Sequence, residues 1–319
     1  IILFVVFTLS FPDSAAQTFG ELRPWLTTTF DWVFMSSVNF FVVFLIFLSF
    51  TKAAGIRIGG NDCKPDYSFA SWISMLFAAG IGIGIMFYGV LEPMNHLLVP
   101  PLNGSELDIE AQRNLAMAAT LYHWALHPWA IYTVLGLSLA FFAYNKGLPL
   151  IIRSALYPLF GERIWGWSGH IIDLLAVIAT LFGLATSLGY GAEQIAGGLR
   201  YVFSISGDNQ TKIMIVGVIT LMAMISLLRG LDGGIKRLSE INMIAAAILG
   251  AYVLLIGPTL DIIVAFFSNI VAYVQYMPAL SNFVGREDTY YMHDWTTFYW
   301  SWWIAFSPFV GMFIARISK

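Results

Sequence analysis

Apolar residues in this chain are gathered into runs of about twenty with almost no charge inside them. That pattern leaves few folds open. In a bilayer every backbone polar group must be paired within the protein, so only helices and closed barrels span it. Seven complete runs occur, at residues 26–50, 69–91, 115–144, 169–190, 213–228, 241–260 and 296–317, and residues 1–11 supply the tail of another. They are too long for barrel strands and do not alternate. Charged residues make up only 11% of the chain, against about 25% in soluble domains. An all-α polytopic membrane protein is expected.

A single cysteine, Cys63, excludes an internal disulfide framework and a multi-cysteine metal site. Residue 1 is Ile, inside an apolar run without the basic flank of a signal peptide. Residue 319 follows directly on a membrane segment. A piece of a longer protein, with its first span cut short, is the expectation. Residues 261–277 are apolar but aromatic-rich and are expected as an interfacial helix on the outer face.

Basic residues concentrate on the cytoplasmic side of membrane helices. Lys52, Arg57 and Lys64, then Lys146, Arg153 and Arg163, then Arg229, Lys236 and Arg237, and finally Arg316 and Lys319 fall in alternate loops. These are 11 of the 16 Lys and Arg. The opposite loops hold Arg23, Arg113, Arg200, Lys212 and Arg286 with Glu92, Glu106, Asp108, Glu110, Glu287 and Asp288. The first set is therefore inside, as is the N-terminus.

Three features fall at mid-membrane depth. Residues 69–91 carry Gly80, Gly82 and Gly84 at their centre. Gly80 and Gly84 form a G-x-x-x-G pair that suits helix packing. A backbone opened to an ion or a carboxylate is the alternative. Residues 115–144 carry Trp124, Trp129 and Tyr132 around Pro128, which cannot donate to the helix ladder. The last run carries Trp302, Trp303 and Phe306 above Pro308. Aromatic belts lie at the membrane interfaces. Trp295 and Tyr299 suit a belt, and Trp300 suits packing or lipid contact. Trp129, Tyr132, Trp302, Trp303 and Phe306 are too deep for one. His123 and His127 have the i, i+4 spacing of helical metal ligands, but no third ligand accompanies them. Packed histidines and no transition metal are expected.

No charged residue separates these three clusters along their runs. Such a set suits a cation that donates no hydrogen bond. Each desolvated cation–π contact contributes about 2 kcal/mol, and aromatic cages recognise quaternary ammonium groups. The glycine backbone would receive the carboxylate of a zwitterion.

The stretch FYWSWWIAFSPFVGMFIARIS resembles the signature helix of the betaine/carnitine/choline transporter family. AAGIGIGIMFYGVLEP, YHWALHPWAIY and IATLFGLATSLGYG resemble its third, fourth and fifth helices, in order, and the likeness covers essentially the whole chain. It implies a leucine-transporter-type inverted-repeat fold, of which the N-terminal part is present, about eight of twelve helices. Residues 1–68 would be helices one and two, residues 69–280 the first five-helix repeat with its interfacial helix, and residues 281–319 the outer loop and first helix of the second repeat. It implies secondary transport of a quaternary-ammonium osmolyte, glycine betaine above others, with choline, carnitine or dimethylsulfoniopropionate as alternatives. Sodium would be the coupling ion, with no other cofactor. The expected partners are the osmolyte, the lipid bilayer and two further copies in a homotrimer, with no nucleic acid, in the inner membrane.

By that resemblance the aromatic box is Trp124, Trp129, Tyr132 and Trp303, with Trp302 adjacent. Phe306 stands where betaine carriers have a further tryptophan. Gly80, Gly82 and Gly84 match the sodium-coupled betaine members, whereas proton-coupled choline members carry Asp at the last position. One sodium site would use backbone at Ala78 and Ile81. The other would use Thr180 and Phe309, with Leu184 where a second threonine is usual. Thr186 and Ser187 suit either binding or backbone hydrogen bonds. Asp173 suits either a proton relay or a pairing with a loop base. A sensor that binds the osmolyte without moving it is the alternative of another class. No nucleophile–base pair, metal cluster or phosphate loop suggests an enzyme.

The orientation is open to a direct test. A Ser105→Cys variant should react with a membrane-impermeant thiol reagent from outside intact cells, and Cys63 only after permeabilisation. The reverse pattern would invert the topology.

Overall fold

The computed structural model describes residues 2–80 and 82–319, and among these residues all regular structure is helical. The helices are α1 (Ile2–Ser10), α2 (Pro12–Thr29), α3 (Asp31–Ser49), α4 (Phe69–Gly80), α5 (Gly82–Leu98), α6 (Ile109–Trp124), α7 (Leu126–Ala140), the single turn α8 (Tyr157–Phe160), α9 (Trp167–Phe203), α10 (Asn209–Leu228), α11 (Lys236–Ile256), α12 (Thr259–Ser281) and α13 (Phe298–Ile317). Short 3₁₀ and π turns join several of them. Among the described residues, seven helical stretches are long and apolar enough to cross a membrane, or up to nine if each bent pair counts as one span.

Three breaks depart from the uninterrupted runs. The expected span 26–50 stops at Phe30, whose φ of −113° and ψ of 12° leave the helical region. The Thr28 hydroxyl donates back to the Pro24 carbonyl at 2.8 Å, and Asp31 supplies the acidic first turn of α3. The second break separates α4 from α5. The axes of Phe69–Gly80 and Gly84–Leu98 differ by 64°. Gly82 begins α5 with φ +48°, a left-handed conformation that glycine adopts without strain. The third break lies at Ala125, between α6 and α7. Pro128 has no N–H to offer the Trp124 carbonyl four residues back, which is the bond a continuous helix would need.

The spans holding α6–α7 and α13 are the most enclosed, with 44% of their apolar windows buried, against 6% for those of α10, α11 and α12. The poorly covered helices carry a large exposed apolar surface, as a lipid-facing layer requires. Small residues draw α7 and α13 together. A Cβ on Gly136 would lie 3.0 Å from Ile314 Cγ2, and one on Gly311 would lie 3.0 Å from Leu135 Cγ. The α12 helix is 23 residues long, as long as a span, and its Tyr273 hydroxyl accepts from the Leu126 N–H at 3.3 Å.

Several polar contacts between elements fall at one or the other of the two predicted loop ends. At one end Arg23 pairs with Asp294 at 3.4 Å, Lys212 with Glu193 at 2.5 Å, and Asp288 accepts from the Leu102 N–H at 2.9 Å. Burial alone would raise the Asp288 carboxyl, but the Arg286 and Leu102 donors outweigh it and hold it below the usual carboxylate range. At the other end Asn145 bonds to Gly59 and Arg57, Ser71 to Glu240, and the Asp66 N–H to the Lys319 carbonyl. Asp173 belongs to this end too. It pairs with Arg153 at 2.7 Å, which is the structural alternative for that residue.

Candidate functional site

The breaks and the α7–α13 contact bring the deep aromatics into one group. Trp124 is the last residue of α6, and Trp129 and Tyr132 lie on the first turns of α7. Trp303 meets Trp124 edge-on at 5.2 Å between ring centroids and Tyr132 at 6.1 Å. Tyr132 in turn meets Trp129 at 6.2 Å. Trp302 stacks on Trp303 at 4.8 Å with an interplanar angle of 9°. Trp302, Trp303 and Tyr132 are buried, while Trp124 and Trp129 are partly buried. Two buried donors in this group, the Trp302 Nε1 and the Tyr132 hydroxyl, have no hydrogen-bond partner among the described residues.

The glycines of α4 and α5 form the opposite wall. A Cβ on Gly80 would stand 2.7 Å from Trp129 Cη2, and one on Gly84 would stand 2.6 Å from Trp124 Cη2. The pair therefore receives indole rings rather than another helix backbone. Further down, a Cβ on Gly183 of α9 would lie 2.7 Å from the Phe306 ring. Phe306 and Phe309 lie 5.3 Å apart. Thr180 is one turn before Gly183 and so shares its face of α9, turned toward α13. Thr180 and Ala78 are half-buried, and Phe309 is exposed. Ile81 lies outside the described residues. The Thr186 hydroxyl donates to the Phe182 carbonyl at 2.9 Å, the backbone role.

The upper boundary of the group is a side chain assigned above to an outer loop. Glu92 lies within α5 and is wholly buried. Its Oε2 accepts from the Trp124 Nε1–H at 2.6 Å and from the Tyr299 hydroxyl at 2.7 Å. Its Oε1 contacts His96 Nε2 at 3.2 Å and His123 Nδ1. The other His123 nitrogen, Nε2, lies 2.9 Å from the Thr296 hydroxyl. Neutral His123 with its proton on Nδ1 satisfies this network, because Nε2 then accepts from Thr296. The sequence signal was present but ambiguous: an acid just before a proline at the end of an apolar run reads as a loop start.

One neighbouring assignment changes with it, and the packing alternative holds for another. Tyr299 is not a belt residue, since it is fully buried and bonded to Glu92. Trp300 is packed rather than lipid-facing; its Nε1 lies 3.2 Å from the Met35 sulfur, and its ring stacks on His127 at 5.6 Å. Glu92, His96 and His123 are close enough together to suggest a metal site. The three are joined by direct hydrogen bonds, and Glu92 Oε2 also accepts from Trp124 and Tyr299. We read the triad as a hydrogen-bond hub.

Helices broken around a deep aromatic group define a polytopic membrane protein with a site between its helices. The sequence profile described as "BCCT, betaine/carnitine/choline family transporter" matches residues 1–319. This chain belongs to that family, and its all-helical architecture is consistent with the N-terminal part of a leucine-transporter-type fold. It is 53% identical over 334 residues to a glycine betaine/proline/choline transporter of Vibrio parahaemolyticus, covering all of this chain and 60% of the relative. It is 39% identical over 320 residues to a glycine betaine transporter of Acinetobacter baylyi, covering all of this chain and 48% of the relative. It is 40% identical over 321 residues to a high-affinity choline transport protein of Escherichia coli, covering all of this chain and 47% of the relative. The chain thus spans about half to three fifths of the length of these relatives.

The glycine wall yields a stability prediction. Gly80→Ala and Gly84→Ala should each lose about 1–3 kcal/mol by overpacking against an indole. Gly217→Ala, where a Cβ meets nothing within 4 Å, should lose nothing. Thermal unfolding in detergent measures all three, and equal behaviour would refute the close approach.

Proposed function

We propose that the chain is the N-terminal part of a secondary transporter that imports a quaternary-ammonium osmolyte, glycine betaine above others, across the inner membrane. The observation that carries this reading is the ring group of Trp124, Trp129, Tyr132, Trp302 and Trp303, with two buried donors that have no partner among the described residues. Rings favour a methylated cation. The Tyr132 hydroxyl, the Trp302 Nε1–H and the backbone around Gly80, Gly82 and Gly84 favour a carboxylate at the other end of the same molecule. An alcohol such as choline would leave those donors poorly matched, and unmatched buried donors weaken binding. The Vibrio and Acinetobacter relatives named for glycine betaine support the same choice.

Phe306 closes the cage toward the cytoplasm with a weaker cation–π face than tryptophan. Sodium couples transport, with Ala78, Ile81, Thr180 and Phe309 contributing to the ion sites. The shared face of Thr180 and Gly183, opposite Phe306 and Phe309, supports the second of these. Residues 69–280 form the first inverted repeat, with α12 lying along the outer surface. Residues 1–68 precede it, and residues 281–319 begin the second repeat. Alternating access then moves the repeat against its surroundings about the cage, and three copies assemble as a trimer.

Uptake of labelled glycine betaine by the complete gene product in proteoliposomes tests the reading. Uptake should require a sodium gradient, and sodium-independent uptake would remove the coupling. Trp303→Leu should raise the half-saturation concentration about thirtyfold, the loss of one desolvated cation–π contact. Trp300→Leu should cost stability and leave that concentration unchanged. Equal effects on half-saturation would refute the cage.

A further inference from the structure

Glu92 is a buried carboxylate directly behind the cage, and nothing in the transport reading accounts for it. Three helices supply its donors: His96 from α5 itself, His123 and Trp124 from α6, and Tyr299 from α13. Four donors around two oxygens saturate a carboxylate. The His123 tautomer that donates through Nδ1 also accepts from Thr296, so these contacts are satisfied with His123 neutral and Glu92 negative.

We infer that Glu92 is the positioning and specificity residue of the cage, a buried counter-charge that acts on the substrate cation through the Trp124 and Tyr299 rings. This rests on the transport reading above. Saturated by donors, the carboxylate has no free lone pair for an inorganic cation or an ammonium N–H. Its field still reaches the cage, where there is little water to screen it. The Trp124 indole is the relay. Its N–H donates to Glu92, its ring edge lies against Gly84, and its ring meets Trp303 edge-on. Donation to an anion pushes electron density into the indole and deepens the negative potential on its face. The Tyr299 ring is polarised in the same way, and it stacks at 5.9 Å on Trp303, whose own Nε1 donates to the His123 carbonyl at 3.2 Å. The cage thereby prefers a cation over a neutral group of the same shape without offering it a direct ion pair.

The test uses two ligands that differ in that one respect. Glycine betaine carries a trimethylammonium group; 3,3-dimethylbutyrate carries a neutral tert-butyl group of the same shape on the same carboxylate. Both are measured on the complete gene product, betaine by uptake and dimethylbutyrate by competition. In Glu92→Gln, which keeps the size and one acceptor oxygen but not the charge, the preference for betaine over dimethylbutyrate should fall about tenfold, as expected for a unit charge acting within roughly 10 Å in a partly screened interior. Equal weakening of both ligands, the mark of a purely structural role, would overturn the inference, as would an unchanged preference. If Glu92→Gln does not reach the membrane folded, Glu92→Asp keeps the charge on a shorter arm. It should hold the preference within about twofold of wild type even where both ligands bind more weakly, and collapse of the preference there would overturn the inference equally. A wild-type protein that takes up no betaine would instead refute the transport reading itself.

Discussion

The arrangement depends on two indole rings lying directly against a helix backbone. Trp129 and Trp124 occupy the space that side chains at Gly80 and Gly84 would fill. Any larger residue there would push the rings off, and the ring group would lose one wall. Two other features serve that contact. The Ala125 break turns α6 into α7 so that both tryptophans reach the α4–α5 segment. The Gly136–Gly311 approach brings α13 near enough to add Trp302 and Trp303.

Burying so many aromatic rings leaves their polar edges to be satisfied, and the hub does part of this. Glu92 receives Trp124 and Tyr299, and the His123 carbonyl receives Trp303. A charge without partners at this depth would cost several kcal/mol, and removing one partner of a buried pair typically costs about 3–5 kcal/mol. The hub is affordable only because α5, α6 and α13 each contribute donors at fixed positions. It therefore ties the three helices at one end of the ring group. Toward the other end, Phe306 against Gly183 brings α9 to the same helix α13. The aromatic donors without a partner among the described residues are Tyr122, Tyr132 and Trp302, the last two in the ring group itself.

Much of this was legible in the chain. A tryptophan at a membrane interface needs no explanation, while one at mid-membrane depth does. Depth follows from counting 1.5 Å per residue from the flanking charges, so Trp129, Tyr132, Trp302 and Trp303 stood out. Three alternate glycines in an apolar run signal close approach, though not of what. The breaks were partly visible, as Pro128 and Gly82 mark two of them. The break at Phe30 was not, because residues 26–50 are apolar enough on average to hide a local stop.

The sequence alone determined the membrane class, most of the apolar runs and the identity of the deep aromatics, because length, hydropathy and depth are one-dimensional quantities. Which rings touch, and which helix lies under them, depended on angles at breaks that composition does not encode. Glu92 is the clearest case. By hydropathy it belongs in water, and as a loop residue it would need no partners. Its donors lie 4, 31, 32 and 207 residues away along the chain. Only when three helices converge does a charged side chain become cheaper buried than exposed.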